Sequence, residues 1–229
     1  MKKIQLSELG IYAVIDTSTL LSVNGERSRT IDRAASGKKP LVEIARSCVQ
    51  AGVKIIQLRD KTGNVRGFYR NALLIRKITK GKALFIINDR SDIAKLVNAD
   101  GLHIGQDDLP VQAVRRLLGP GKIIGKSCHS LKQAILAQKE GADYLSIGPI
   151  FTTPTKPNYP AVGLKLLKPV QKKIKIPVIA IGGIDKNNIG LVRAAGAKNI
   201  AVARAICKAK NIEKAIDDLQ KVVSDKLRE

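Results

Sequence analysis

Ala51-Gly52-Val53-Lys54-Ile55-Ile56-Gln57-Leu58-Arg59-Asp60-Lys61 condenses one structural unit into a single line of sequence. A small, glycine-containing turn leaves a helical pattern, an apolar β-branched run follows, and polar groups crowd the end of that run. Glycine at such a turn closes a helix in the left-handed conformation. The continuous apolar run suits a parallel strand covered on both faces. The same kind of turn returns at Asn98-Ala99-Asp100-Gly101, Glu140-Gly141-Ala142-Asp143 and Ala195-Gly196-Ala197-Lys198. It therefore recurs before alternate strands.

Working outward, the sequence predicts eight strands: Ile11–Ile15, Val53–Leu58, Ala83–Ile87, Gly101–Ile104, Lys122–Gly125, Asp143–Ile147, Pro177–Ile181 and Asn199–Ala203. Between them, apolar residues at helical spacing predict helices over Leu41–Ala51, Phe68–Ile78, Ile93–Val97, Val111–Leu118, Leu131–Gln138, Leu164–Ile174 and Ile189–Ala194, with a last one over Ile212–Leu227. Eight βα units in 229 residues match the arithmetic of an α/β protein folded as a single-domain (β/α)8 TIM barrel. A doubly wound open sheet is the competing architecture. No Pro/Ser-rich linker divides the chain, so residues 1–10 are read as an N-terminal leader and 11–229 as the barrel. A polar stretch at 22–39 is read as an insertion after the first strand, either a lid or a tolerated surface loop.

Composition narrows the function. The chain has 41 Lys and Arg against 19 Asp and Glu, a formal charge of +22. That charge raises nucleic-acid binding as one class of function. Three Phe, four Tyr and no Trp leave few platforms for stacking bases, and no reading motif is evident. No apolar run approaches the roughly 18–20 residues that span a bilayer, and no secretory h-region follows Lys2-Lys3. Cys48, Cys128 and Cys207 are scattered without C-x-x-C pairing, which suits a reducing compartment and packed, unreactive thiols. A cytoplasmic protein is expected. Lys165, Lys168, Lys172, Lys173 and Lys175 decorate outer helices, where they serve at most as a steering field.

In such barrels chemistry gathers at the C-terminal strand ends, and polar motifs stand there strand after strand. Asp89 and Asp108 follow neighbouring strands, about 4.8 Å apart, so their loops can reach one ion. Mg²⁺ is typically held by one or two carboxylates together with substrate phosphates; a helix-capping role is the alternative for each. Arg59, Lys61 and Lys156 can receive phosphate oxygens. Gly182-Gly183 after strand seven, with Arg204 after strand eight, falls where barrels bind phosphate. His103 lies inside a strand and reads more readily as a core histidine than as a catalyst. His129 follows Ser127 without a legible acidic partner, so a Ser–His nucleophile is disfavoured. Cys128 reads as inert.

Taken together, Gln57-Leu58-Arg59-Asp60-Lys61, Ile87-Asn88-Asp89-Arg90, Gly101 to Pro110, Ser127-Cys128-His129-Ser130, Gly148-Pro149-Ile150-Phe151, Thr153-Pro154-Thr155-Lys156 and Ala180-Ile181-Gly182-Gly183-Ile184 resemble the thiamine-phosphate synthase (thiamine-phosphate pyrophosphorylase) family. The likeness runs from Tyr12 to Ile206. It implies a transferase that joins a hydroxymethylpyrimidine diphosphate to a hydroxyethylthiazole phosphate, releasing pyrophosphate. By the same resemblance Gln57, Arg59, Lys61 and Asn88 hold the pyrimidine diphosphate, with Ser127 and Lys156 on its pyrophosphate side, and Asp60 is a further substrate-binding candidate. Thr153, Thr155, Gly183, Ala203 and Arg204 hold the thiazole phosphate, and Asp89 and Asp108 hold Mg²⁺. Lys61, Ser127 and Lys156 are the catalytic candidates. A dissociative displacement needs no protein nucleophile, in keeping with the absence of a convincing one.

Two features depart from the family pattern: Arg204 stands where many members carry a small hydroxyl residue, and Lys126 adds a charge before Ser127. The nearest competing activity is a thiazole tautomerase on the same barrel, which has no pyrophosphate or Mg²⁺ to hold. The implied partners are small phosphorylated molecules, with no nucleic acid and no membrane. The sequence is compatible with a homo-oligomer.

Overall fold

The computed structural model describes residues 6–21, 40–155 and 159–224. Eight parallel strands close in sequence order: β1 (Ile11–Asp16), β2 (Ile55–Arg59), β3 (Leu84–Asn88), β4 (Gly101–Ile104), β5 (Ile123–Cys128), β6 (Tyr144–Ile147), β7 (Val178–Ile181) and β8 (Asn199–Val202). Tyr12 pairs with Ile55 and with Ala201, so β1 joins β2 and β8 and no sheet edge remains. The (β/α)8 barrel is the architecture, and the open sheet is excluded. The expected helices are present within a few residues of their predicted bounds, the last as Ile212–Ser224. Two short ones, Thr17–Leu21 and Arg204–Cys207, were not anticipated. The insertion at 22–39 and the end of the last helix beyond 224 lie outside the described residues, as does Lys156.

Strand alternation sorts side chains into two cores. Ile56, Leu58, Phe85, Ile87, Leu102, Ile104, Leu145 and Ile147 face outward and are buried under the helices. Tyr12, Val14, Ile55, Ile86, Tyr144, Ile179 and Ala201 face inward and fill the barrel. Further along the same strands the inward positions turn polar: Asp16, Gln57, Asn88, His103, Ser127 and Ser146 are all buried. The barrel is thus apolar below and hydrogen-bonding above, and the upper half is where a site can be built.

The recurring turns have a physical role. Asp100 and Asp143, each leading into a strand, accept the backbone N–H of Phe85 and Ile124 on the preceding strand at 2.8 and 2.7 Å. Each also meets an arginine of a covering helix, Arg76 at 2.7 Å and Arg115 at 2.6 Å. The turn thereby ties strand, neighbour and helix together.

The other end of the barrel is stoppered by residues 6–10. Asn199 Oδ1 accepts the N–H groups of Leu9 and Gly10 at 2.9 and 3.2 Å, and Leu9 is buried among the inward side chains. Replacing Asn199 by alanine leaves one buried and one partly buried donor unpaired, which costs about 2 kcal/mol. A thermal scan should show a Tm lowered by roughly 4–8 °C, with activity of the folded fraction unchanged.

Candidate active site

Two cavities open at the C-terminal strand ends. The larger, about 450 Å³, runs past Gln57, Thr153, Thr155, Gly183, Ala203 and Arg204. The smaller, about 250 Å³, is bordered by Lys61, Asp89, Asp107 and Asp108. Arg59, Asn88, Ser127 and His129 border both. A single ligand, or two reacting ones, can span that shared wall.

Arg59 ends β2 and is held by Asp16 at the end of β1, Nη1 to Oδ2 at 2.5 Å. Asp16 is fully buried, and its Oδ1 accepts the N–H and hydroxyl of Ser18 at 2.9 and 2.5 Å. Sequence reasoning missed Asp16, because an acidic residue at a strand end shows its partner only once β1 and β2 are paired. Asp60 turns the other way. It accepts from Thr17 Oγ1 at 3.1 Å and Thr62 N at 2.8 Å, so it shapes its loop and borders neither cavity.

The carboxylate pair forms the floor of the smaller cavity. Asp89 follows β3 at φ 61°, a backbone region that Asp tolerates better than most residues, and its Oδ2 lies 2.5 Å from Lys61 Nζ. Asp108 Oδ2 accepts from Gly105 N at 2.7 Å. The two carboxyls face one another closely enough that each shifts the other's titration. Burial, together with Asp108, holds the Asp89 carboxyl above its ordinary range despite Lys61. Burial would raise Asp108 too, but Asp89, the hydrogen bond from Gly105 and the charges of Lys61 and Lys126 outweigh it and hold Asp108 low. Of the two carboxyls, Asp89 therefore takes up a proton more readily than Asp108.

These donors suit a hard divalent cation. Among the described residues no cluster of three His, Cys, Asp or Glu forms an all-protein cage. Two carboxylates facing a phosphate-sized cavity therefore fit an ion that draws its remaining oxygens from substrate and water. Lys126, read as a surplus charge, is buried, and its Nζ donates to Gly105 O at 2.6 Å. It fixes the loop whose N–H holds Asp108.

In the larger cavity Gly183 sits at φ 65°. A Cβ there would lie 2.7 Å from the Thr152 carbonyl and 2.8 Å from Phe151 Cβ, so the close approach of the two loops requires glycine. Asn188 Nδ2 donates to Gly183 O at 2.8 Å and pins the turn. Thr153 Oγ1 accepts from Thr155 N at 3.3 Å. Arg204 opens the short helix after β8, half-buried at the cavity wall.

The histidines separate as expected. His129 stacks on Tyr159, ring centroids 4.6 Å apart, and bonds the Gly148 carbonyl. Ser127 pairs instead with buried His103, Oγ to Nε2 at 2.9 Å. The other ring nitrogen of His103 meets the Tyr144 phenol at 3.0 Å, where a catalytic triad would place a carboxylate. Burial pushes the Cys128 thiol up to about 12, so it is inert near neutrality.

Fold and rim together define a barrel enzyme that acts on phosphorylated small molecules. The family model for thiamine monophosphate synthase matches residues 30–206. A thiamine-phosphate synthase of Ruminiclostridium cellulolyticum is 40% identical over 196 residues, covering 85% of this chain and 93% of the relative. One from Methanospirillum hungatei is 48% identical over 176 residues, 76% of this chain and 85% of the relative. Among solved structures, a thiamine phosphate pyrophosphorylase from Pyrococcus furiosus superposes with a TM-score of 0.77 at 34% identity, covering 95% of this chain and 96% of the other. The chain belongs to the thiamine monophosphate synthase family, and it is a transferase of thiamine biosynthesis.

Proposed function

We propose that the enzyme condenses 4-amino-2-methyl-5-hydroxymethylpyrimidine diphosphate with 4-methyl-5-(2-phosphoethyl)thiazole, giving thiamine phosphate and pyrophosphate with Mg²⁺. The observation that carries this reading is the shared wall of Arg59, Asn88, Ser127 and His129 between an acidic and basic small cavity and a larger one with a glycine turn. The diphosphate fits the first, the two rings the middle, and the thiazole phosphate the turn formed by Gly183, Ala203 and Arg204.

In the reaction the methylene C–O bond breaks, and its electron pair leaves with pyrophosphate. The thiazole nitrogen then supplies the pair for the new C–N bond, so no protein base is needed. Arg59 and Lys61 receive charge developing on the leaving group, and Ser127 donates a hydrogen bond to it. Asn88 and Gln57 orient the pyrimidine. Thr153, Thr155 and the Gly183 turn hold the thiazole at attacking distance. Lys156, outside the described residues, is assigned by resemblance to the pyrophosphate side. Mg²⁺ held by Asp89 and Asp108 would neutralise phosphate charge.

The carboxylate pair and Lys61 favour this reading over a tautomerase, which has no diphosphate to neutralise. No helix among the described residues is long and apolar enough to cross a membrane. Three free cysteines support the cytoplasmic location included in this proposal. The direct test mixes both substrates with the purified protein and Mg²⁺. Thiamine phosphate and pyrophosphate in equal amounts are expected, and a folded protein that makes neither would refute the reading.

A pH dependence follows from the carboxylates. Asp89, held above its ordinary range, takes up a proton first as pH falls, and cation binding must expel it. The Mg²⁺ concentration for half-maximal rate should therefore rise as pH is lowered through that range. Metal titrations at several pH values check this, and a requirement independent of pH would contradict it.

A further inference from the structure

Across the barrel's interior, under the site, runs an unbroken chain of hydrogen bonds. Gln57 Nε2 donates to Tyr12 Oη at 2.7 Å. Tyr12 Oη lies 2.9 Å from Tyr144 Oη, and Tyr144 Oη lies 3.0 Å from His103 Nδ1. His103 Nε2 is 2.9 Å from Ser127 Oγ and 3.3 Å from Ser146 Oγ. Both ends, Gln57 and Ser127, open onto the larger cavity, while Tyr12 and Tyr144 are fully buried.

The fold makes room for this chain at one position. Gly125 on β5 is in register with His103 on β4 and Tyr144 on β6. A Cβ at Gly125 would lie 2.1 Å from Tyr144 Cζ and 2.5 Å from His103 Nδ1. The two side chains meet over the position that glycine leaves empty.

Counting protons gives the chain a direction. Burial holds both phenols above their ordinary range, so each keeps its single proton. Tyr12 already accepts from Gln57, so its own proton goes to Tyr144, its other hydrogen-bond partner among the described residues. Tyr144 must then donate to His103 Nδ1. In a neutral ring the proton sits on Nε2 and points to Ser127 Oγ. Ser127, accepting from His103, has its hydroxyl proton free to face the cavity. At the far end Gln57, its amide N–H committed to Tyr12, presents its carbonyl.

The opposite direction requires Gln57 to be turned, giving Tyr12 its carbonyl. His103 Nε2 then accepts, from Ser127 at 2.9 Å in preference to Ser146 at 3.3 Å, and Ser127 shows only lone pairs to the cavity. Lone pairs would face the oxygens of a pyrophosphate, an arrangement that opposes binding.

We infer that Tyr12, Tyr144 and His103 are positioning residues: their buried hydrogen-bond chain holds Ser127 as a donor to the departing pyrophosphate and Gln57 as an acceptor for an N–H of the pyrimidine. This inference rests on the function proposed above. It adds that the two ends of one substrate are recognised by a coupled unit.

The tautomer is the first test. ¹⁵N NMR of the wild-type protein labelled in histidine, with the His103 signals assigned through His103→Gln, should show a proton on Nε2 and a bare Nδ1. A proton on Nδ1, in either a neutral or a doubly protonated ring, overturns the inference. Kinetics supply the second. His103→Gln keeps an amide donor near the Nε2 position and should retain most of kcat. His103→Asn cannot reach Ser127 and should lose about tenfold, the size of one charge-assisted hydrogen bond. In a Ser127→Ala background, His103→Asn should cost nothing further. An equal loss in both backgrounds, or no difference between Gln and Asn, would show that His103 acts by packing alone. Failure of the wild type to form thiamine phosphate would instead refute the proposed function, and the NMR result would stand apart from it.

Discussion

Asp89→Ala is expected to abolish turnover, with a loss of at least 10²–10³-fold, the scale on which a preorganised electrostatic group contributes, while the circular dichroism spectrum is unchanged. Asp89 lies against Lys61 and Asp108, so alanine removes one of the two carboxylates proposed to hold the cation and frees Lys61 from its partner. The backbone offers a control. At φ 61° alanine is strained by about 1–2 kcal/mol, whereas asparagine tolerates that region. Asp89→Ala should therefore melt a few degrees lower than Asp89→Asn, yet both should be inactive. Near-normal turnover of either variant at limiting Mg²⁺ would remove Asp89 from its proposed role.

The second large effect concerns Asp16 and Arg59. Asp16→Ala leaves a guanidinium without its buried counter-ion, which costs about 3–5 kcal/mol and should lower Tm by roughly 10 °C. Activity should fall with it, because the clamp that aims Arg59 at the shared wall of the two cavities is gone. Joint replacement by Asp16→Leu and Arg59→Met separates the two consequences. An apolar pair of similar volume is close to neutral in stability, so the double variant should regain most of the Tm and none of the activity. Recovery of turnover along with Tm would mean that the pair serves only to hold the fold.

Asp16 also marks the limit of what could be read from the chain. The strands were legible because apolar runs and glycine turns are local signals, and β4 was read to the residue. The rim residues were legible because barrel chemistry collects at strand ends. Contacts between strands were not. The Asp16–Arg59 pair spans 43 positions, and the partners of Ser127 lie on β4 and β6. A residue type carries no record of its neighbour across a barrel.

Strand β5 was read as ending at Gly125, since Lys126 and Ser127 look like loop. It continues to Cys128, because inward-facing Ser127 opens onto the cavity and outward-facing Lys126 is buried with its Nζ satisfied by Gly105 O. Helices Thr17–Leu21 and Arg204–Cys207 were missed because five and four residues are too few to display a helical period. Asp60 shows a further limit. Its motif is legible, yet its side chain is committed to Thr17 and Thr62.

The stopper at residues 6–10, held on Asn199, bears on traffic through the enzyme. With the base of the barrel filled by Leu9 and the inward side chains, both cavities have the rim as their common doorway. Two reactants enter and two products leave by one opening. Each product must clear the doorway before the next pair can be seated, and a product that lingers there obstructs both reactants at once.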